Sequence, residues 1–188
     1  MFSNFTKVGA SILAATVAFS APALAQNTMV GGAEMFPSKN IVENAANSAD
    51  HTTLVAAVQA AGLAETLSGE GPFTVFAPTN AAFDKLPAGT VDDLLKPENK
   101  DKLVKILTCH VVAADAMSPA IGKMIMDDGG AHDVPTLGGC TLSASINPDN
   151  NALQLTDENG SVATVTIPDV NQSNGVIHVI DTVMLPAM

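Results

Sequence analysis

The sequence predicts an α+β fold with mainly antiparallel strands, and three observations predict it. Apolar residues recur at helical spacing through the first half of the chain. Past Gly129-Gly130 the texture changes to short extended stretches separated by turn residues. The closing stretch, Asn174–Pro186, opens on a turn dipeptide, runs through β-branched residues and stops at a proline. In that stretch Val176, His178, Ile180, Thr182 and Met184 share one face, and Ile177, Val179, Asp181, Val183 and Leu185 the other. Both faces are largely apolar, which predicts a central strand over Val176–Met184 covered on both sides.

Taken in order, the chain begins with Lys7, the apolar run Val8–Phe19 and Ala23-Leu24-Ala25, the pattern of a secretory signal cleaved after Ala25. The run is too short to cross a bilayer comfortably, and no later stretch reaches the roughly 18 apolar residues of a membrane span. Residues 26–39, with Gly31-Gly32 and Pro37, read as a flexible lead-in, and residues 40–188 as a single domain.

Ile41, Val42, Ala45, Ala46 and Ala49 predict a first helix. Asp50 is placed to cap a second, carrying Leu54, Val55, Val58 and Ala61 and broken by Gly62. Gly71-Pro72 switches the period: Phe73–Phe76 is a short strand closed by Ala77-Pro78, and Thr79 can cap a helical turn through Phe83. Val91–Leu95 is a short helix, and Pro97 suits the first turn of a segment reaching about Thr108, with Leu103, Ile106, Leu107 and His110 along its core side. Val111-Val112 is extended, and Ser118-Pro119 starts a helix carrying Ile121, Met124 and Ile125. Strands are expected at Ala131–Thr136, Cys140–Ile146, Ala152–Thr156, Ser161–Ile167 and Val176–Met184, with a break over Asp169–Gly175.

Charge excludes whole function classes. The chain has 8 basic residues, all lysine, against 19 acidic ones, a formal net charge of −11, and it has no Trp or Tyr. A nucleic-acid surface needs a basic stripe with aromatic or arginine stacking, so that class is set aside, and anionic membrane surfaces are disfavoured for the same reason. Cys109 and Cys140 are the two cysteines of an exported chain. A disulfide between them is favoured over two inert buried thiols, and closing its loop is worth about 3–4 kcal/mol in the chain-entropy model.

Phe73-Thr74-Val75-Phe76-Ala77-Pro78-Thr79-Asn80-Ala81-Ala82-Phe83 resembles the first signature of the fasciclin domain family, and Asn174-Gly175-Val176-Ile177-His178-Val179-Ile180-Asp181 through Pro186 resembles its second. His110-Val111-Val112 falls where that family has its central histidine motif. The resemblance implies a wedge of two mainly antiparallel β-sheets with several helices packed around it, in which Phe73, Thr74, Phe76, Ala77, Pro78, Thr79, Asn80, Phe83, Asn174, Gly175, His178 and Asp181 are framework. It also implies extracellular or periplasmic adhesion and recognition, with no enzymatic activity. Where the family often has Tyr before the histidine, this chain has Cys109. Asp169 and Val170 match by position an Asp-Ile pair treated in some members as an integrin contact. The bacterial style of the leader points away from an integrin, and a simple turn is the competing reading of that pair.

Catalysis finds no constellation in the sequence. His178 and Asp181 are three apart on a strand and therefore point to opposite faces, and the motifs of nucleophile elbows, phosphate loops and zinc helices do not occur. His51, His110, His132 and His178 have no ligand spacing. Asn147, Asp149, Asn151 and Glu158 fit the spacing of a calcium loop, but Ala152 replaces its glycine, so a hairpin turn is expected, with no metal and no cofactor. The expected function is a secreted or periplasmic recognition module for a protein, cell-surface or extracellular-matrix partner, with Asp169, Val170 and His110 as candidate contacts. The alternatives are a carrier of an apolar small molecule, pigment or lipid, lined by Met117, Met124, Met126 and Phe83, and, last, an enzyme using His110.

Overall fold

A computed structural model describes residues 27–187; the expected leader lies outside them. The described chain opens with a small hairpin, β1 (Met29–Val30) and β2 (Ala33–Glu34). Four helical segments and a strand follow: α1 (Ile41–Asn47), a 3-10 turn (Ala49–His51), α2 (Thr52–Ala61), α3 (Ala64–Ser68) and β3 (Phe73–Pro78). Next come α4 (Asn80–Asp84), α5 (Thr90–Leu94), a 3-10 turn (Pro97–Asn99), α6 (Lys100–Thr108), β4 (Val111–Val112) and α7 (Ser118–Asp127). Five strands complete the chain: β5 (Ala131–Pro135), β6 (Thr141–Ile146), β7 (Leu153–Thr156), β8 (Val162–Gln172) and β9 (Gly175–Ile180). The fold is α+β.

The large sheet has the order β4-β3-β9-β8-β7-β6-β5. Every pair in it is antiparallel except β3 with β9, which run parallel in the register Phe73↔Gly175 to Pro78↔Ile180. Paired residues of a parallel ladder point the same way, so Phe76 and Ile180 face one side while Val75, Ala77, Ile177 and Val179 face the other. The two sides are two cores. One gathers helices α1, α2 and α6 over Val75, Ile177 and Val179, and the other packs Ile121 and Ile125 of α7 over Leu142, Leu155 and Ile180. The expected central strand is therefore covered on both faces.

β8 serves both cores by changing faces. Its register against β9 slips between Val165 and Ile167 and again between Ile167 and Val170. Ala163 and Val165 consequently enter the second core, and Val170, with Ile167 packed beside it, the first. A bulge adds a residue to one strand and so reverses which side the following residues face.

Four expectations are corrected. The lead-in is not without regular structure: β1 and β2 pair, and Val30 and Met35 are buried in the first core, which gives the segment apolar anchors. Asp50 lies in a 3-10 turn and does not cap α2; Asn80 Oδ1 accepts from Thr53 N at 3.0 Å instead, a cap supplied from the first signature. The break expected over Asp169–Gly175 is confined to Ser173-Asn174, because β8 absorbs Pro168 and Asp169 as a bulge and continues to Gln172. The last strand ends at Ile180, where the Asp181 carboxylate turns back to accept from Thr164 N at 2.8 Å.

Candidate functional site

The two signature stretches lie side by side as the parallel pair β3 and β9, and their polar residues fasten neighbouring elements. Asn174 accepts from Ile41 N at 3.1 Å and donates to Leu67 O at 2.8 Å and Gly69 O at 2.9 Å, joining α1, α3 and β9. Thr79 caps α4 by accepting from Ala82 N, and Phe83 fills the first core. Gly175 has φ 152°, and a Cβ there would overlap the Phe73 carbonyl, so the start of the parallel ladder admits glycine alone.

A polar node sits where the two motifs meet the N-terminus of α7. Buried Thr74 donates its hydroxyl to Ala114 O at 2.6 Å and accepts from Ala116 N at 2.8 Å, which fixes the segment entering α7. His178, fully buried and stacked on Phe76 with ring centroids 5.6 Å apart, donates from Nε2 to Ala116 O at 2.8 Å. Its Nδ1 accepts from Asp169 N at 3.2 Å, so the ring is neutral with its proton on Nε2. Burial lowers its pKa, opposed by the Ala116 carbonyl and by Asp169 and Asp115. Asp169 is left-handed, φ 57°, within β8, and its carboxylate accepts from Ser118 N at 2.6 Å and from Ser118 Oγ. An aspartate on β8 thereby satisfies the first turn of α7.

The central motif is a second clamp. His110 Nδ1 donates to Ile106 O at 2.8 Å and Nε2 accepts from Met184 N at 3.0 Å, the opposite tautomer to His178. Burial lowers its pKa, opposed by the Ile106 carbonyl and Asp157. Asp157 accepts from Leu185 N at 2.9 Å, so the segment after β9 is held from two sides. Cys109 and Cys140 are joined as a disulfide, with Cα atoms 5.4 Å apart. It ties the end of α6 to the β5–β6 turn, where Leu137 N donates to Val111 O at 2.8 Å.

The model of the fasciclin domain matches residues 49–186. The chain belongs to the fasciclin domain family. It is 48% identical over 163 residues to protein sll1483 of Synechocystis sp., a match covering 87% of this chain and 82% of that one. It is 39% identical over 133 residues to transforming growth factor-beta-induced protein ig-h3 of Sus scrofa, covering 71% of this chain but 17% of that much longer protein. Among solved structures, a FAS1 domain pair from the insect cell adhesion molecule fasciclin I superposes with a TM-score of 0.69 at 19% identity, covering 78% of this chain and 51% of the pair. That likeness shows the fold.

Within this fasciclin domain the expected site residues separate. Asp169 is half-buried beside exposed Pro168 and Asn171, whereas Val170 is 1% exposed and His110 2%, so neither of those side chains reaches the surface. His178 and Asp181 do not pair. Burial opposes ionisation of Asp181, yet Thr164 N–H, the Thr182 hydroxyl and Lys85 together hold its pKa below the usual range. Met117, Met124 and Met126 belong to α7 and its approach, while Phe83 packs in the opposite core, so these four line no common groove. The apolar crevice between α1, α2, α6 and β3 is about 30 Å³, the room of one water. Asn147 and Glu158 fall at opposite ends of β7, and the Glu158 carboxylate accepts from Thr141 N and Ala187 N. Nothing local in the sequence marks Thr74 as the organiser of the approach to α7 or Ser118 as the partner of Asp169, since both contacts cross 40 or more positions. The Ser-Pro pair that opens a helix marked the place without naming the partner.

Proposed function

We propose that this fasciclin domain is a non-enzymatic recognition module acting outside the cytoplasm, and that it binds a protein, cell-surface or extracellular-matrix partner through the rim beside the Asp169 bulge. One observation carries the reading. At the two histidine clamps the groups that could perform acid–base chemistry are engaged by backbone: His110 and His178 by both ring nitrogens, Asp157 by Leu185 N and Asp169 by Ser118 N. They position the chain, and the bulge they hold presents Pro168, Asn171 and Ser173 to solvent. A left-handed non-glycine residue held by three separate hydrogen bonds is the kind of local strain that collects at binding sites.

Two further facts support this reading. The insect protein that shares the fold is named a cell adhesion molecule. The basic, apolar and A-x-A pattern of residues 7–25, together with a disulfide, suits an oxidising compartment. The test is binding of the purified mature protein to intact cells or isolated envelopes of its host, wild type against Asp169→Asn. Asparagine can keep the Ser118 hydrogen bonds and removes the charge. Saturable binding weakened by the variant at unchanged melting temperature supports the reading, and an absence of saturable binding by the wild type overturns it.

A further inference from the structure

Gly122 lies in the middle of α7, where glycine is the poorest helix former after proline. Its backbone is ordinary helix, and a Cβ built on it meets no atom within 4 Å, so neither dihedral nor packing asks for glycine there. A helical glycine with open space over it leaves the backbone bare for something else to approach. The space over Gly122 is a groove of about 520 Å³ between α7 and the edges of β6, β7 and β8, floored by Ile146, Leu153, Pro119 and Pro168. At its other end Met126 is 73% exposed, the most exposed large apolar side chain among the described residues. Methionine at such an edge gives an adaptable contact.

The charge around the groove selects its occupant. From Cys109 to the end of the chain there are nine acidic residues and a single lysine, Lys123, which is itself paired with Asp127 at 2.5 Å. The Asp169 carboxylate holds Ser118, itself a lining residue, and Asp149 stands in the turn that ends at Asn151 on the rim. A second copy of a chain with net charge −11 would bring like charges together across this face. We infer that the Gly122 groove binds a basic segment of a partner protein, its apolar side chains seated on the bare helix backbone and its Lys or Arg residues drawn by the acidic balance of this half of the chain. This rests on the recognition reading and names the chemistry of the partner.

The test uses the full mature chain and a fluorescent 14-residue amphipathic peptide of Lys and Leu, with a Glu/Leu peptide of the same pattern as control, read by anisotropy. Gly122→Leu fills the groove, and Ala120→Leu places the same side chain on an exposed position of α7 away from it. Wild type and Ala120→Leu should bind the Lys/Leu peptide alike, and Gly122→Leu and the Glu/Leu peptide should each bind at least tenfold more weakly. Met126→Ser, altering an exposed side chain, should weaken binding in the same direction even if Gly122→Leu fails to fold. Equal binding by Gly122→Leu, no preference for the basic peptide, or a concentration-dependent dimer of the wild type that Gly122→Leu abolishes would each overturn the inference. Envelope binding that survives in Gly122→Leu removes the groove and leaves the recognition reading standing; wild type that binds no envelope removes the recognition reading itself.

Discussion

Asp169 donates its backbone N–H to Nδ1 of His178 at 3.2 Å, so the bulge in β8 is held in place by a neutral imidazole on β9. Protonating that nitrogen would turn an acceptor into a donor facing a donor, and a similar argument applies to His110 against Met184 N.

Acid should therefore weaken this fold before its carboxylates titrate. Burial lowers the pKa of His51, His110 and His178 from the ordinary 6.5, so the unfolded chain binds these protons first. Their contribution is complete above about pH 6.5 and is lost as pH falls through 6.5 toward the folded-state values. Urea midpoints should hold above about pH 6.5 and fall between pH 6.5 and 5; a flat profile over that lower window would refute the assignment of neutral rings.

Removing the Asp169 carboxylate leaves the first turn of α7 without its partner from β8. Asp169→Ala is expected to cost about 1–2 kcal/mol, the size of a lost helix cap, and Asp169→Asn much less. Chemical denaturation of the two variants measures the difference, which vanishes if Ser118 finds water equally well.

His110→Ala leaves Met184 N buried without its acceptor and opens a cavity in a fully enclosed site. A loss of about 3 kcal/mol is expected from the orphaned donor and the missing ring. If the denaturation midpoint barely moves, the clamp on the C-terminal segment contributes nothing.

Gly175→Ala should be the most damaging single methyl group in the domain. Its Cβ would overlap the Phe73 carbonyl at a φ that disfavours side chains, so the parallel ladder must part at its first rung. A destabilisation above about 4 kcal/mol, or failure to fold, is expected by circular dichroism and thermal melting.

Much of this architecture was legible in the sequence because it is written locally. The period-two alternation of Val176–Ile180, the Thr79 cap and the Ser-Pro start of α7 each depend on neighbours along the chain. Long-range geometry was not legible. Asp50 was a reasonable local cap for α2, but Asn80 reaches the same amide from 27 positions away. Asp169–Gly175 carries turn residues, yet pairing with β9 kept most of it in the strand, because bulges admit the residues that a regular ladder rejects. Val170 looked available on motif grounds and is interior, since alternation along β8 cannot be followed through two register slips, whereas the burial of His110 agrees with the core side that helical spacing gave it. Gly122 was invisible for the opposite reason: a helical glycine is informative once the space beside it is known to be empty.

The parallel rung Phe73↔Gly175 joins positions 102 apart in the chain. Until β9 is present, β3 lacks its neighbour on that side and both cores lack Ile177, Val179 and Ile180. Contacts of such separation form late and slowly. A chain emerging from its N-terminus therefore holds β3 and both cores open until β9 arrives, so the two signature stretches close the domain together or not at all.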